Sequence, residues 1–128
     1  MKRIALLTVI LASTIVAVWC TTTDNTEQKV ALAQCLTEKW ATMYGTTRCS
    51  HCNAQKESFG YQAFAKVNFV DCDKNKNTCG LAGVEWYPTR VFADKSKLVG
   101  EQKLEALAQA AGCEYGTTTT TGSLWSGN

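Results

Sequence analysis

Two cysteines three positions apart, Cys49 and Cys52, constrain this chain more than any other feature. The spacing lets both sulfurs meet across the first turn of a helix. Before them, Trp40-Ala41-Thr42-Met43-Tyr44-Gly45 reads as a short buried strand; after them, Asn53 to Phe59 has helix-forming character. Strand, loop, CxxC, helix is the setting in which such a pair serves as a redox couple. The nucleophile of disulfide exchange is a thiolate, and the partial positive charge at a helix N-terminus favours it. On this reading Cys49, at the N-terminus, attacks, and the more shielded Cys52 resolves.

Two other uses of the motif stand beside this one. A C-x-x-C is also half of a zinc site, but His51 is the only histidine, and Cys72 and Cys79 lie seven apart rather than at knuckle spacing. The pair also suits an inert structural disulfide. The strand-to-helix context favours redox work over both.

The chain has 128 residues, one small domain's worth of core, with an ordinary 45% hydrophobic content. Lys and Arg total 13 against 11 Asp and Glu, and two of the cations, Lys2 and Arg3, fall in a leader. No basic patch points to nucleic acid and no acidic tail to a polycation. Seven cysteines in so short a chain point to an oxidising compartment.

Residues 1–20 read as a targeting segment: Lys2-Arg3, then an apolar run from Ile4 to Val18. It is expected to be a cleaved signal, an uncleaved anchor at the short limit for spanning, or a lipoprotein signal in which Cys20 is acylated. Trp19 departs from the small residue that the first and last of these want before the cut. A membrane-tethered, extracytoplasmic protein is the favoured outcome. Residues 21–25 are a polar linker, and residues 26–115 form the domain.

Within it, a helix is expected from Thr26 to Lys39, with Leu32, Cys35 and Leu36 on one face. The strand and CxxC helix follow. Lys66 to Cys72 alternates as a strand, Asp73 to Thr78 is a polar loop, and Cys79 to Gly83 is one helical turn. Tyr87 to Phe92 is a strand opened by the only proline, Lys97 to Val99 an edge strand, and a final helix begins near Gly100 or Glu101 and ends at Gly112. The first two strands, joined through a helix, should be parallel, and the last two a hairpin. The fold class is therefore α/β: a four-stranded mixed sheet flanked by helices on both faces. Residues 116–128, with five consecutive threonines, read as a disordered tail.

The order of elements, the CxxC opening a helix, and Tyr87-Pro88-Thr89 before a strand resemble the thioredoxin-like oxidoreductases over roughly residues 26–113. Cys49-Ser50-His51-Cys52 resembles the DsbA-type Cys-x-His-Cys. A closer likeness is to the thioredoxin-like domain that accompanies bacterial vitamin K epoxide reductase homologues. It is carried by Gln34 to Lys39, Met43-Tyr44-Gly45, Gln55-Lys56, Phe59-Gly60, Val70 to Asp73, Cys79, and Ala111-Gly112-Cys113. Arg48 replaces the usual aromatic, Ser50 the usual proline, and Arg90 a common hydrophobic residue.

The resemblance implies that Pro88 is a cis-proline facing the pair; His51, between the cysteines, is expected to donate to the Cys49 thiolate or add positive charge nearby, with an exposed histidine of no role as the alternative. The resemblance also implies no cofactor, cysteine-containing substrate proteins, and a membrane redox partner such as a vitamin K epoxide reductase homologue or another quinone-linked oxidoreductase. Arg48 is expected to add Coulomb attraction for the thiolate, which together with His51 favours an oxidant. A reductase, an isomerase and a stapled binding module are the alternatives. Glu38, Lys39, Lys56 and Glu57 are candidate proton carriers for Cys52, with solvated helix charges as the simpler reading. Setting the pair and Cys20 aside leaves Cys35, Cys72, Cys79 and Cys113. Cys72 and Cys79 bracket a polar loop they can close, which leaves Cys35 with Cys113, although four cysteines allow three pairings.

Overall fold

The structure, a computed structural model, describes residues 25–116. The leader with Cys20, the linker up to Asp24 and the tail from Thr117 lie outside these residues.

Helix α1, Asn25–Glu38, buries Leu32, Ala33 and Leu36. It ends in a Schellman arrangement: the Trp40 amide donates to the Thr37 carbonyl and the Ala41 amide to the Leu36 carbonyl. Trp40 therefore occupies the left-handed position usually given to glycine, at φ 61°, with its side chain exposed. This is why the strand expected from Trp40 starts only at Thr42. Strand β1, Thr42–Gly45, leads through a short loop into α2, Ser50–Phe59, which carries the CxxC. A one-turn helix the sequence reading missed, α3, Tyr61–Phe64, follows the Gly60 break at φ 80°. Strand β2 is Asn68–Asp71.

Helix α4, Lys76–Leu81, starts inside the stretch expected to be a polar loop. Only Cys79 of this helix is buried, so it lacks the apolar periodicity that signals a helix. Strands β3, Thr89–Val91, and β4, Lys97–Val99, complete the sheet. The Tyr87–Pro88 peptide is cis, and β3 begins after it. The last helix, α5, is Leu104–Ala111, several residues later than expected. The cause is Gln55, whose side chain takes both backbone groups of Gln102 and keeps them out of a helix. Gly112, at φ 65°, caps α5.

The strand order is β2-β1-β3-β4, with β1 and β2 parallel and the other pairs antiparallel. This is the expected α/β mixed sheet flanked by helices. Phe59, Leu32, Leu36, Met43 and Leu107 are its largest fully buried apolar side chains.

Arg90 stands out within that core. It lies on β3 between Met43 of β1 and Leu98 of β4, and it is 3% exposed. Its guanidinium sits 5.6 Å from the centre of the Phe59 ring, and its two terminal nitrogens have no hydrogen-bond partner among the described residues. Burial pulls its pKa down to about 10, so it is still charged at neutral pH. A cation–π contact offsets about 0.5–2 kcal/mol, less than an unpaired buried charge costs. Arg90→Met should therefore raise the unfolding free energy by about 1–3 kcal/mol, measured by urea denaturation. A loss of stability would mean that the aromatic contact outweighs the desolvation.

Candidate active site

Cys49 is the N-cap of α2, with extended backbone at φ −81° and ψ 119°. Its sulfur accepts the Cys52 amide at 3.3 Å, the bond an N-cap serine or aspartate side chain would make. The sulfur of the half-buried Cys49 thus sits at the amide end of the helix, where negative charge is favoured. Its thiol also reaches the Tyr87 carbonyl at 3.6 Å. The peptide that follows that carbonyl is the cis bond to Pro88, so the structure brings Cys49, Cys52 and the Pro88 loop together. The loop is braced by the Thr89 hydroxyl donating to the Trp86 carbonyl at 2.7 Å. Trp86 and Tyr87 are exposed aromatics at the same edge.

Cys52 is fully buried. Its burial, then its hydrogen bond with Cys49, pushes its thiol up to about 11. The Thr46 backbone and the Lys56 ammonium pull the other way. Among the four charges considered as proton carriers, Glu38, Lys39 and Glu57 are exposed. Lys56, one turn beyond Cys52, is half-buried and lies 4.3 Å from the Phe69 ring centre and 5.5 Å from that of Phe64.

Gly45 explains how Cys52 fits. A methyl group added at Gly45 would stand 2.6 Å from the Cys52 sulfur and 3.4 Å from the Phe69 ring. The end of β1 thus approaches the resolving sulfur as backbone alone. Behind the pair, the Gln55 amide is 2% exposed; it donates to the Gln102 carbonyl at 3.0 Å and accepts the Gln102 amide at 2.7 Å. This ties α2 to the segment before α5. The sequence singled out Gln55 only as one of the residues carrying the resemblance, and the structure supplies its partner.

Arg48 and His51, the two basic side chains beside the pair, each lie near a carboxylate. Arg48 does not serve Cys49: its guanidinium forks onto Asp73 through Nε at 3.2 Å and a terminal nitrogen at 3.0 Å. Those bonds hold the Asp73 carboxyl below its usual value. His51 Nδ1 lies 3.8 Å from a Glu101 carboxylate oxygen.

Cys35 is bonded to Cys113 and Cys72 to Cys79, while Cys49 and Cys52 are free thiols. No group of three or more His, Cys, Asp or Glu among the described residues is arranged to hold a metal.

No family model matches the chain. Among curated proteins it is similar to the thiol-disulfide oxidoreductase LTO1 of Arabidopsis thaliana, at 40% identity over 91 residues. The match takes in 65% of this chain but 24% of the relative, so the chain spans about a quarter of the length of the protein it matches.

Two outcomes follow from the packing around Cys52. Gly45→Ala should cost the reduced protein about 1–3 kcal/mol through overpacking, read by denaturant unfolding, with the Cys52 sulfur displaced. Wild-type stability would show that β1 shifts freely. In Cys49→Ser the remaining free thiol should titrate well above the free-thiol value of about 8.5, followed by thiolate absorbance. The sign for stability is fixed: in the window from that value up to about 11 only the unfolded chain's Cys52 ionises, so the reduced protein loses stability as pH rises. A titration complete near 8.5 would place Cys52 in water.

Proposed function

We propose that this chain is a protein thiol–disulfide oxidoreductase that works through Cys49 and Cys52. One observation carries the reading: the accessible sulfur caps α2 while its partner, three residues on, is buried and held as a thiol. The similarity to a protein named as a thiol-disulfide oxidoreductase supports it.

In the oxidising direction, a substrate thiolate attacks the Cys49 sulfur of the Cys49–Cys52 disulfide. The bond between the pair breaks, and Cys52 leaves with two electrons and takes up a proton. A second substrate thiolate then attacks the substrate sulfur of the mixed disulfide and releases Cys49 as a thiolate. The substrate loses two electrons as its two thiols become a disulfide, and the pair gains them. In the reverse direction Cys49 attacks a substrate disulfide and Cys52 resolves the mixed species.

Oxidation of substrate proteins is the direction we favour. The helix N-terminus at Cys49 stabilises the reduced form, and a stabilised reduced form makes a stronger oxidant. The Cys35–Cys113 and Cys72–Cys79 bonds support work in an oxidising, extracytoplasmic compartment. An oxidant must pass its two electrons on. The likeness to the domain that accompanies vitamin K epoxide reductase homologues supports a quinone-linked membrane protein as acceptor, with a membrane tether through the leader and Cys20. No helix of the described residues is long and apolar enough to cross a membrane.

The test is a pair of variants. Cys49→Ser should abolish exchange, and Cys52→Ser should accumulate mixed disulfides with substrate proteins because nothing resolves them. Trapping by Cys49→Ser instead would reverse the roles. Equilibration of the pair with a glutathione buffer reads the direction: a pair more reducing than glutathione points to a reductase. A Cys49 that ignores a thiol probe after mild reduction leaves the stapled binding module.

A further inference from the structure

The sequence sets two basic side chains at the redox pair, Arg48 just before Cys49 and His51 inside the motif, and the structure gives each a carboxylate neighbour. The Arg48 pair is the better made. It is a two-bond fork, the arrangement in which guanidinium and carboxylate bind most strongly. Its side chains are 82% and 34% exposed, and an isolated surface pair of that kind is worth little. Asp73, however, does not have to be found by a free side chain. The residue before it, Cys72, is bonded to Cys79, and its amide donates to the Gly45 carbonyl at 2.8 Å. The Asp73 amide donates to an Asp71 carboxylate oxygen at 3.0 Å. The carboxylate is therefore fixed on a stapled loop, hydrogen-bonded to the end of the strand that runs on into Arg48.

We propose that Asp73 is a positioning residue for the redox pair: it holds the Arg48 guanidinium off the Cys49 sulfur and keeps the pair less oxidising than Arg48 would make it. The inference rests on the exchange reading above. Reduction creates a thiolate at Cys49, and a nearby cation stabilises that state. The sulfur's own partners are the Cys52 amide and the Tyr87 carbonyl, not Arg48. The other charges at this edge are Asp71 beside Arg48, Lys76 beside Asp73, and the His51–Glu101 pair across the motif. Asp71 acts on Arg48 through space, and one of its carboxylate oxygens accepts the Asp73 amide.

The test measures Asp73→Asn, Asp73→Glu, Arg48→Ala and the Arg48→Ala/Asp73→Asn double variant by two readouts. The first is equilibrium with glutathione, in which one Cys49–Cys52 disulfide and two glutathione thiols give the dithiol and one glutathione disulfide. The second is the rate of Cys49 alkylation by iodoacetamide at neutral pH. Asp73→Asn should shift the equilibrium roughly threefold to tenfold toward the dithiol and speed alkylation by a similar factor. Asp73→Glu, which keeps the fork, should match the parent. In the Arg48→Ala background the same Asn substitution should change either readout by less than about twofold. No shift for Asp73→Asn overturns the proposal, and so does an equal shift with and without Arg48, since Asp73 would then act as a bare negative charge. If no variant exchanges with glutathione at all, the exchange reading falls, and the alkylation rates still decide the role of Asp73.

Discussion

A sulfur caps the helix that carries it, and the rest of the site depends on that bond. An N-cap side chain normally supplies an oxygen to the amide three residues on. Here Cys49 supplies its sulfur to Cys52, so the acceptor of the cap is also the accessible sulfur of the proposed redox pair. With Cys49 fixed at the cap, Cys52 falls at the third helical position, on the face turned to the sheet. Its sulfur meets β1 where Gly45 offers no side chain. The asymmetry of the pair, one sulfur reachable and one desolvated, is thus set by a single turn of helix and one missing methyl group.

That turn needs a stable seat. Phe59, fully buried at the far end of α2, anchors the helix through apolar contact. Gln55 anchors it through a pair of hydrogen bonds to the backbone of Gln102. A buried side-chain amide is costly unless its groups are satisfied, and here the partner is a segment that would otherwise begin α5. The exchange delays that helix and leaves Glu101, the neighbour of Gln102, within 3.8 Å of His51. A polar contact inside the core therefore places a charge at the rim of the motif.

Much of this was legible in the sequence, because the strong signals were local. The apolar face of α1, the alternation in β2, the CxxC at a helix start and the glycine after α5 each follow from periodicity or turn chemistry over a few residues. The misplacements have more than one origin: helix ends, helices without an apolar face, and contacts between distant residues. Trp40 reads as a strand residue by composition, yet the end of α1 puts it in a left-handed turn. The polar start of α4 hides a helix whose one buried side chain is a cysteine. Arg48 reads as a partner for the adjacent Cys49, but Asp73, 25 residues on, takes it. Short-range spacing says which residues are neighbours in the chain. It does not say which of several opposite charges lies in reach once a loop has been folded back.

The same element plays two roles in this domain, and loop length separates them. Cys35 and Cys113 are 78 residues apart, whereas Cys72 and Cys79 are seven apart. On the chain-entropy account the first bond restricts the unfolded chain by roughly 4–5 kcal/mol and the second by roughly 2–3 kcal/mol. The long staple joins the first helix to the end of the last and holds the domain as a whole. The short one fixes only the loop beside Gly45 and Arg48, so it acts on the shape of the active-site edge. Cys49 and Cys52, three residues apart, are free thiols held at the first turn of α2. The two staples therefore brace the fold with sulfurs of their own and leave both thiols of the pair free, the division of labour that the proposed redox couple requires.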